Sequence, residues 1–325
     1  MQKVHFWFYI YCITVMLIVS IGGYTRLSGA GLSITEWKPI SGIMPPISKA
    51  QWEHKFELYK KSPEFIYKNF FITLKEFKKI FYIEYIHRVV GRLSGIIVLV
   101  SSIYLYFTKQ LSKFNIKSLL LVLGFGGIQA IIGWFMVKSG LKEEPNVSHL
   151  MLALHLFIAS IIFSILVVNI TKDFHWFVYR ERKIYIYSVL CLITTYIQII
   201  YGAFTAGTHA GLLYPSFPLM DGHFLPNELG NIIQSPGSIM LIHRILAFVI
   251  LMLAILIRYN TPKELIFARK ICNILLISVF TQITLGIVTL LSYINISVAL
   301  VHQIGAFIVL SCNLIITSSY ARKHN

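Results

Sequence analysis

The chain has 325 residues, 56% of them hydrophobic and only 13% charged, with a net charge of +16. Apolar runs of about 20 residues recur along it, enough to cross a bilayer core. This indicates an all-α polytopic membrane protein rather than a soluble enzyme. The basic excess is not a nucleic-acid footprint. Its lysines and arginines lie mostly in connections between apolar runs, where topology and anionic membrane lipid account for them.

In chain order the hydrophobic pattern predicts eight spans, at about 6–24, 84–107, 116–137, 150–170, 184–206, 239–257, 271–292 and 297–318. Met1–His5 runs directly into the first of these. No small-residue cleavage site or Arg/Ser-rich transit sequence is present, so the first span is expected to be retained. Residues 47–80 mix charge and aromatics, as in Trp52-Glu53-His54-Lys55-Phe56. They are expected to form amphipathic helix lying on the outer surface. The four cysteines, Cys12, Cys191, Cys272 and Cys312, fall inside apolar runs with no metal-ligand spacing. They read as small packing residues.

Short-loop charge sets the orientation. One side carries Lys3; Lys109, Lys113 and Lys117; Lys172, Arg180, Arg182 and Lys183; Arg258, Lys263, Arg269 and Lys270; and Arg322 and Lys323. The short connections opposite carry Lys138 and Lys142. Both termini are therefore expected in the cytoplasm, with 25–83 and 207–238 outside.

The sequence repeats in order. Gly22-x-Tyr24-Thr25 and Ala30-Gly31-Leu32 recur 180 residues on as Gly202-x-Phe204-Thr205 and Ala210-Gly211-Leu212. Trp37/Phe217, Gly42/Gly222 and Pro46/Pro226 keep that register. Ile86-His87-Arg88 matches Ile242-His243-Arg244, and Gln129-x-x-x-Gly133 matches Gln282-x-x-x-Gly286. Two parallel four-helix-bundle repeats are expected, 1–175 and 176–325, related by an axis along the membrane normal.

His87, His155, His243 and His302 each stand near the outer start of an even-numbered span. Ionisable groups cost a few kcal/mol inside a bilayer, roughly 2.5–3.5 on insertion scales, so they need a reason to be there. Each is followed four residues on by a small residue: Gly91, Ala159, Ala247 and Ala306. Positions i and i+4 share a helix face. Small residues there suit helix packing, and they also leave room for a flat macrocycle bound to the imidazole. Four such histidines suggest two bis-histidine haem sites. Zinc fits less well, because no thiolate is near and Glu84 is the only neighbouring carboxylate. Arg88 and Arg244 either snorkel to the interface or pair with haem propionates. Gln129 and Gln282 suit interhelical hydrogen bonds. His209 and His223, in the second outer loop, read as loop residues, with a propionate contact as the alternative. Glu84 lies one turn before His87, while Met240 takes that place in the second half. The acid either pairs with Arg88 at i+4 or marks one of the two sites as reactive.

These residues resemble the haem A synthase family over essentially the whole chain. The likeness rests on Gly22-Gly23-x-Thr25-Arg26-Leu27, Ser28-Gly29-Ala30-Gly31-Leu32, Glu36-Trp37-Lys38-Pro39, Glu84-x-x-His87-Arg88, Ala153-Leu154-His155, Ile242-His243-Arg244 and Val301-His302. The resemblance implies an oxidoreductase that turns a ring methyl of haem O into the formyl of haem A, for cytochrome oxidase assembly. It implies substrate haem O on His87 and His155, a haem b iron on His243 and His302, and Glu84 as the essential acid. It also implies haem O synthase and an electron donor as partners, a homo-oligomeric tendency, and a bacterial cytoplasmic (inner) membrane location. Outer-loop cysteine pairs are lacking, as in the cysteine-free proteobacterial and mitochondrial subgroup. Two rivals follow from the residues alone: a bis-histidine cytochrome that only passes electrons, and a transporter, which would need helices broken by Gly or Pro at mid-bilayer.

Overall fold

A computed structural model describes residues 2–37, 41–141, 145–172, 181–227 and 229–321. Lys38, Pro39, Lys142, His175, Arg180, Arg322, Lys323, His324 and the expected boundary between halves lie outside the described residues. The described chain is helical: α1 (Gln2–Leu27), α2 (Lys49–Lys60), α3 (Leu74–Phe107), α4 (Lys113–Gly140), α5 (His149–Thr171), α6 (Arg182–Gly207), α7 (Ala210–Leu213), α8 (Pro236–Asn260), α9 (Ile266–Leu291) and α10 (Ile296–Ala321). Eight of these, all but α2 and α7, are long and apolar enough to cross a membrane. The molecule is a multi-pass membrane protein. The proline of α8 sits in its first turn, where its missing N–H costs nothing, so none of the spans is broken as a transporter site would require.

One span departs from expectation. α3 begins at Leu74, ten residues before the predicted start at 84. Residues 74–80 therefore do not lie on the surface as a separate helix. Thr73 and Glu76 form a capping box that starts the helix there, satisfying free N–H groups at its first turn. The aromatic side chains that suggested an interfacial helix have another partner. Phe77 and Phe81 pack against Trp52, Phe56 and Tyr59 of α2, with the Tyr59 and Phe77 rings stacked at 5.0 Å. α2 itself forms as expected inside the 47–80 stretch, capped by Ser48 and Gln51. The outer loop thus has a small aromatic core of its own on the extended head of α3.

Helix contacts close two rings. α1 packs on α3, α3 on α4, α4 on α5, and α5 back on α1. α6, α8, α9 and α10 repeat that circuit, and α5, α6, α1 and α10 join the rings. In each ring the end bearing the chain termini is filled by apolar side chains. Phe8, Leu105, Leu119 and Leu166 fill the first. Ile184, Ala254, Leu275 and Ile316 fill the second, together with Cys191, Cys272 and Cys312. The cysteines are free packing residues, as expected. The opposite ends hold the histidines. Equivalent turns close the first and sixth helices: Gly29 and His209, 180 apart, both take left-handed backbone, at φ 66° and 56°.

Glu64 is buried beneath the aromatic cluster and accepts a hydrogen bond from the Tyr59 hydroxyl at 3.0 Å. Burial pushes its carboxyl up to about 7, reinforced by the negative charge of Glu84 and opposed by the Tyr59 bond and Lys68. A raised carboxyl binds more protons folded than unfolded, so its contribution is full at low pH and is lost as pH rises to about 7. Amide-exchange protection factors over 49–80 should therefore be higher at pH 5 than at pH 8. Glu64→Gln should remove most of that difference; an unaltered difference in the variant would place its origin elsewhere.

Candidate haem-binding site

The histidines stand on opposite corners of each ring. His87 on α3 faces His155 on α5, and His243 on α8 faces His302 on α10. Within each pair the rings lie inside electrostatic reach of one another. All four side chains are partly buried. The Nδ1 atoms of His155, His243 and His302 are fully buried and lack a hydrogen-bond partner. The backbone of Gln198 lies beside the His243 ring and that of Gln282 beside the His302 ring. What remains accessible of these rings is therefore the part away from Nδ1, which carries Nε2. Gln129 donates to the carbonyl of His155 at 3.0 Å and Gln282 to that of His302 at 2.5 Å. The interhelical bonds expected of these two glutamines fall on the backbone of the histidines themselves.

The residues beside the histidines hold the outer loops. Arg88 donates to the carbonyl of Ile34 at 3.0 Å, to that of Glu36 at 3.4 Å and to Glu84 Oε1 from Nε at 3.0 Å and Nη2 at 2.5 Å. Glu84 Oε2 accepts from the Ser33 hydroxyl at 2.7 Å and the Ile34 N–H at 2.8 Å. With 2% of its surface exposed and four donors on two oxygens, this carboxylate has its acceptor sites filled. The expected i,i+4 pairing with Arg88 is present, and loop residues 33–36 close the network. In the second half Arg244 donates to the carbonyls of Tyr214, Ser216, Pro218 and Leu219, at 2.7–3.4 Å. Met240, in the place of Glu84, packs in an apolar cluster with Ala210, Met220 and Leu290. The same joint between loop and helix is ionic in one half and apolar in the other.

Other expected positions separate from the sites. His223 is exposed and forms a single bridge with Met220, and His209 is an exposed turn residue. His149, the first residue of α5, binds the carbonyl of Ile233 at 2.7 Å. Arg26, at the end of α1, donates to the carbonyl of Ala206, its own counterpart in the repeat. Both contacts tie the first ring to the outer end of the second.

The donor set suits a haem better than an ion held by protein alone. No group of three or more His, Cys, Asp or Glu side chains that could hold a metal occurs among the described residues. A porphyrin needs only one imidazole on each face of its iron. Below the histidines, Ala159 is a buried packing residue, and a Cβ built at Gly91 would meet nothing within 4 Å.

The family model described as COX15-CtaA, cytochrome oxidase assembly protein, matches residues 5–314. The chain belongs to that family. It is similar to the haem A synthase of Wolbachia pipientis wMel, at 41% identity over 96% of this chain and 91% of the relative. It is similar to the haem A synthase of the Wolbachia of Brugia malayi (strain TRS), at 40% identity over 100% and 98%. The haem A synthase of Rickettsia africae (strain ESF-5) is 39% identical over 96% and 98%. In this COX15-CtaA chain, sequence reading missed Gln198. It stands four residues before Gly202, a third copy of the Gln-x-x-x-Gly spacing that was recognised only at Gln129 and Gln282. It also missed Ser33 and Ile34, because a backbone N–H leaves no residue signature.

Replacing Arg244 by Ala removes the bonds to four loop carbonyls. At a net ~1 kcal/mol per bond, losing even one or two should lower amide protection over 214–219 by about tenfold or more. Unchanged protection would mean that the loop is held by Phe217 and its apolar neighbours instead.

Proposed function

We propose that the protein is a haem A synthase: an oxidoreductase that converts a methyl group of haem O to the formyl group of haem A, for cytochrome oxidase assembly. One observation carries the reading. In a chain similar to haem A synthases over its full length, two pairs of imidazoles face each other in two similar rings, and a buried carboxylate stands beside one pair only. His87 and His155 hold the substrate haem O. His243 and His302 hold a haem b as cofactor, and residues 1–175 and 176–325 are the two repeats. When bound, the first haem presents the methyl to be oxidised and the second supplies a redox-active iron.

The chain's own residues supply position and charge. In His155, His243 and His302 the buried Nδ1 has no hydrogen-bond partner, which leaves Nε2 as the nitrogen to hold iron. Arg88 and Arg244, one residue after a ligand, stand at the outer margin of each site. Pairing with a propionate there exchanges a carbonyl acceptor for a carboxylate, a stronger partner. Glu84 lies one turn outside His87, about 4.5 Å along the helix axis. Oxidising a methyl builds positive character at carbon and releases protons. A carboxylate can stabilise that charge or accept a proton, an effect of roughly 10²–10⁴ in rate for a positioned group. Met240 can do neither, which suits a cofactor role for the second site.

A bacterial cytoplasmic membrane with both termini cytoplasmic is the setting the charge distribution supports. Haem O synthase and an electron donor are the partners this chemistry needs, and a homo-oligomer is compatible with it. Reporter fusions at Lys117 and Asn227 should give opposite locations; the same location from both would remove the eight-span topology. Glu84→Gln should retain both haems yet leave haem O, or a partly oxidised form, where the parent yields haem A. A normal haem A yield from Glu84→Gln would remove the catalytic role of Glu84, whose filled acceptor sites would then be a loop anchor and nothing more.

A further inference from the structure

Each of the four histidine rings lies against a glycine of a neighbouring helix. A Cβ at Gly22 on α1 would stand 3.0 Å from Nε2 of His87. At Gly133 on α4 it would stand 3.2 Å from Cε1 of His155. At Gly202 on α6 the distance to Cε1 of His243 is 3.2 Å, and at Gly286 on α9 the distance to Cε1 of His302 is 3.0 Å. Carbon atoms rest comfortably at about 3.5–4.0 Å, so a methyl at any of the four would press on the imidazole. Elsewhere this does not occur. Gly91, Gly95, Gly124, Gly126 and Gly127, also within spans, have nothing within 4 Å of such a Cβ. Gly207 meets the Cβ and Cα of His149, not its ring.

Three of the four glycines follow a glutamine by four residues, one turn along the same helix: Gln129, Gln198 and Gln282. The backbones of Gln198 and Gln282 lie beside the rings of His243 and His302. The side chains of Gln129 and Gln282 bond the carbonyls of His155 and His302. One turn of helix thus meets its histidine at the backbone and at the ring.

We propose that Gly133, Gly202 and Gly286 are positioning residues that set the plane of the imidazole on the neighbouring helix; Gly22, which lies against Nε2 of His87 itself, is not one of them. This rests on the ligand role given above to the four histidines. An imidazole bound to iron through Nε2 keeps one freedom, rotation about the iron–nitrogen axis. That rotation changes how its π orbital meets the iron d orbitals, and with it the anisotropy and potential of a low-spin haem. The glycine groove receives one ring edge and, at His243 and His302, the glutamine backbone lies beside the ring, so together they leave one rotation angle. Orientation by the partner of the second ring nitrogen is the usual device; here the missing side chain contributes as much as the neighbouring backbone.

The test uses the full chain purified with its haems. Gly202→Ala and Gly286→Ala should keep a low-spin haem whose largest EPR g value and midpoint potential both move from the parent's. Gly126→Ala should match the parent in both. Parent-like g values and potentials in Gly202→Ala and Gly286→Ala overturn the proposal, whatever their haem content. If either variant loses the haem outright, its melting temperature is compared with that of His243→Ala. Equality shows that only the ring was displaced and supports the proposal; a lower value marks the glycine as a helix spacer and overturns it. A parent without low-spin haem, or His243→Ala with the parent's spectrum, refutes the ligand assignment instead and is recognised before any glycine variant is read.

Discussion

Two imidazoles must meet across the centre of a four-helix ring, on helices that stand at opposite corners. The rest of the structure follows from making room for that. At the end bearing the termini, leucine, isoleucine and phenylalanine side chains fill each ring. At the other end the neighbours of the histidines carry glycine, so that each ring can lie against backbone. Inside a membrane no hydrophobic force draws helices together, and close contact is built from small residues and interhelical hydrogen bonds. The glutamine bonds to the histidine carbonyls supply the second of these at the same place.

The outer loops depend on the same helices. The arginine after His87 and the arginine after His243 each spend their donors on the carbonyls of the loop that precedes their helix in the chain. The proposed ligand and the residue that anchors the loop are thus adjacent in sequence, on one helix turn. The two halves solve the joint differently. In the first, Glu84 accepts from Ser33, Ile34 and Arg88. In the second, Met240 packs with Ala210 and Met220. An ionic joint is costly to bury unless every lone pair is met, and at Glu84 the Ser33 hydroxyl, the Ile34 N–H and the Arg88 guanidinium meet them. A proton or a charge can be handled only at the first joint, which is the physical basis for assigning chemistry to that half.

Much of this was legible in the sequence because lipid imposes a strong pattern. Every predicted span falls on a helix, the seventh overrunning the end of α9 by one residue, since a bilayer requires long apolar runs whatever their partners. The start of α3 was misplaced because Phe77 and Phe81 are as compatible with a membrane surface as with the core they form with α2. The histidines and the Glu84/Met240 difference were legible as residue types in register. Their surroundings were legible only in part. Gln129/Gly133 and Gln282/Gly286 stood out by matching each other, whereas Gln198 falls on a different helix of the repeat and has Ile18 as its counterpart at 180, although Gly202 matches Gly22. The acceptors of Arg88 and Arg244 are mostly backbone carbonyls, which every residue has, so no sequence pattern marks them.

The central claim, that each half holds one haem between two imidazoles, is tested most directly by haem content and ligation in the purified full-length chain. Iron and extracted haem per chain would be counted, the haems identified by mass, and near-infrared magnetic circular dichroism recorded. The account predicts two haems per chain, both with the bis-imidazole charge-transfer band, one of them haem b and the other haem O or an oxidised product of it. A single haem per chain, or two haems that persist with that band when His243 and His302 are both replaced by Ala, would contradict it.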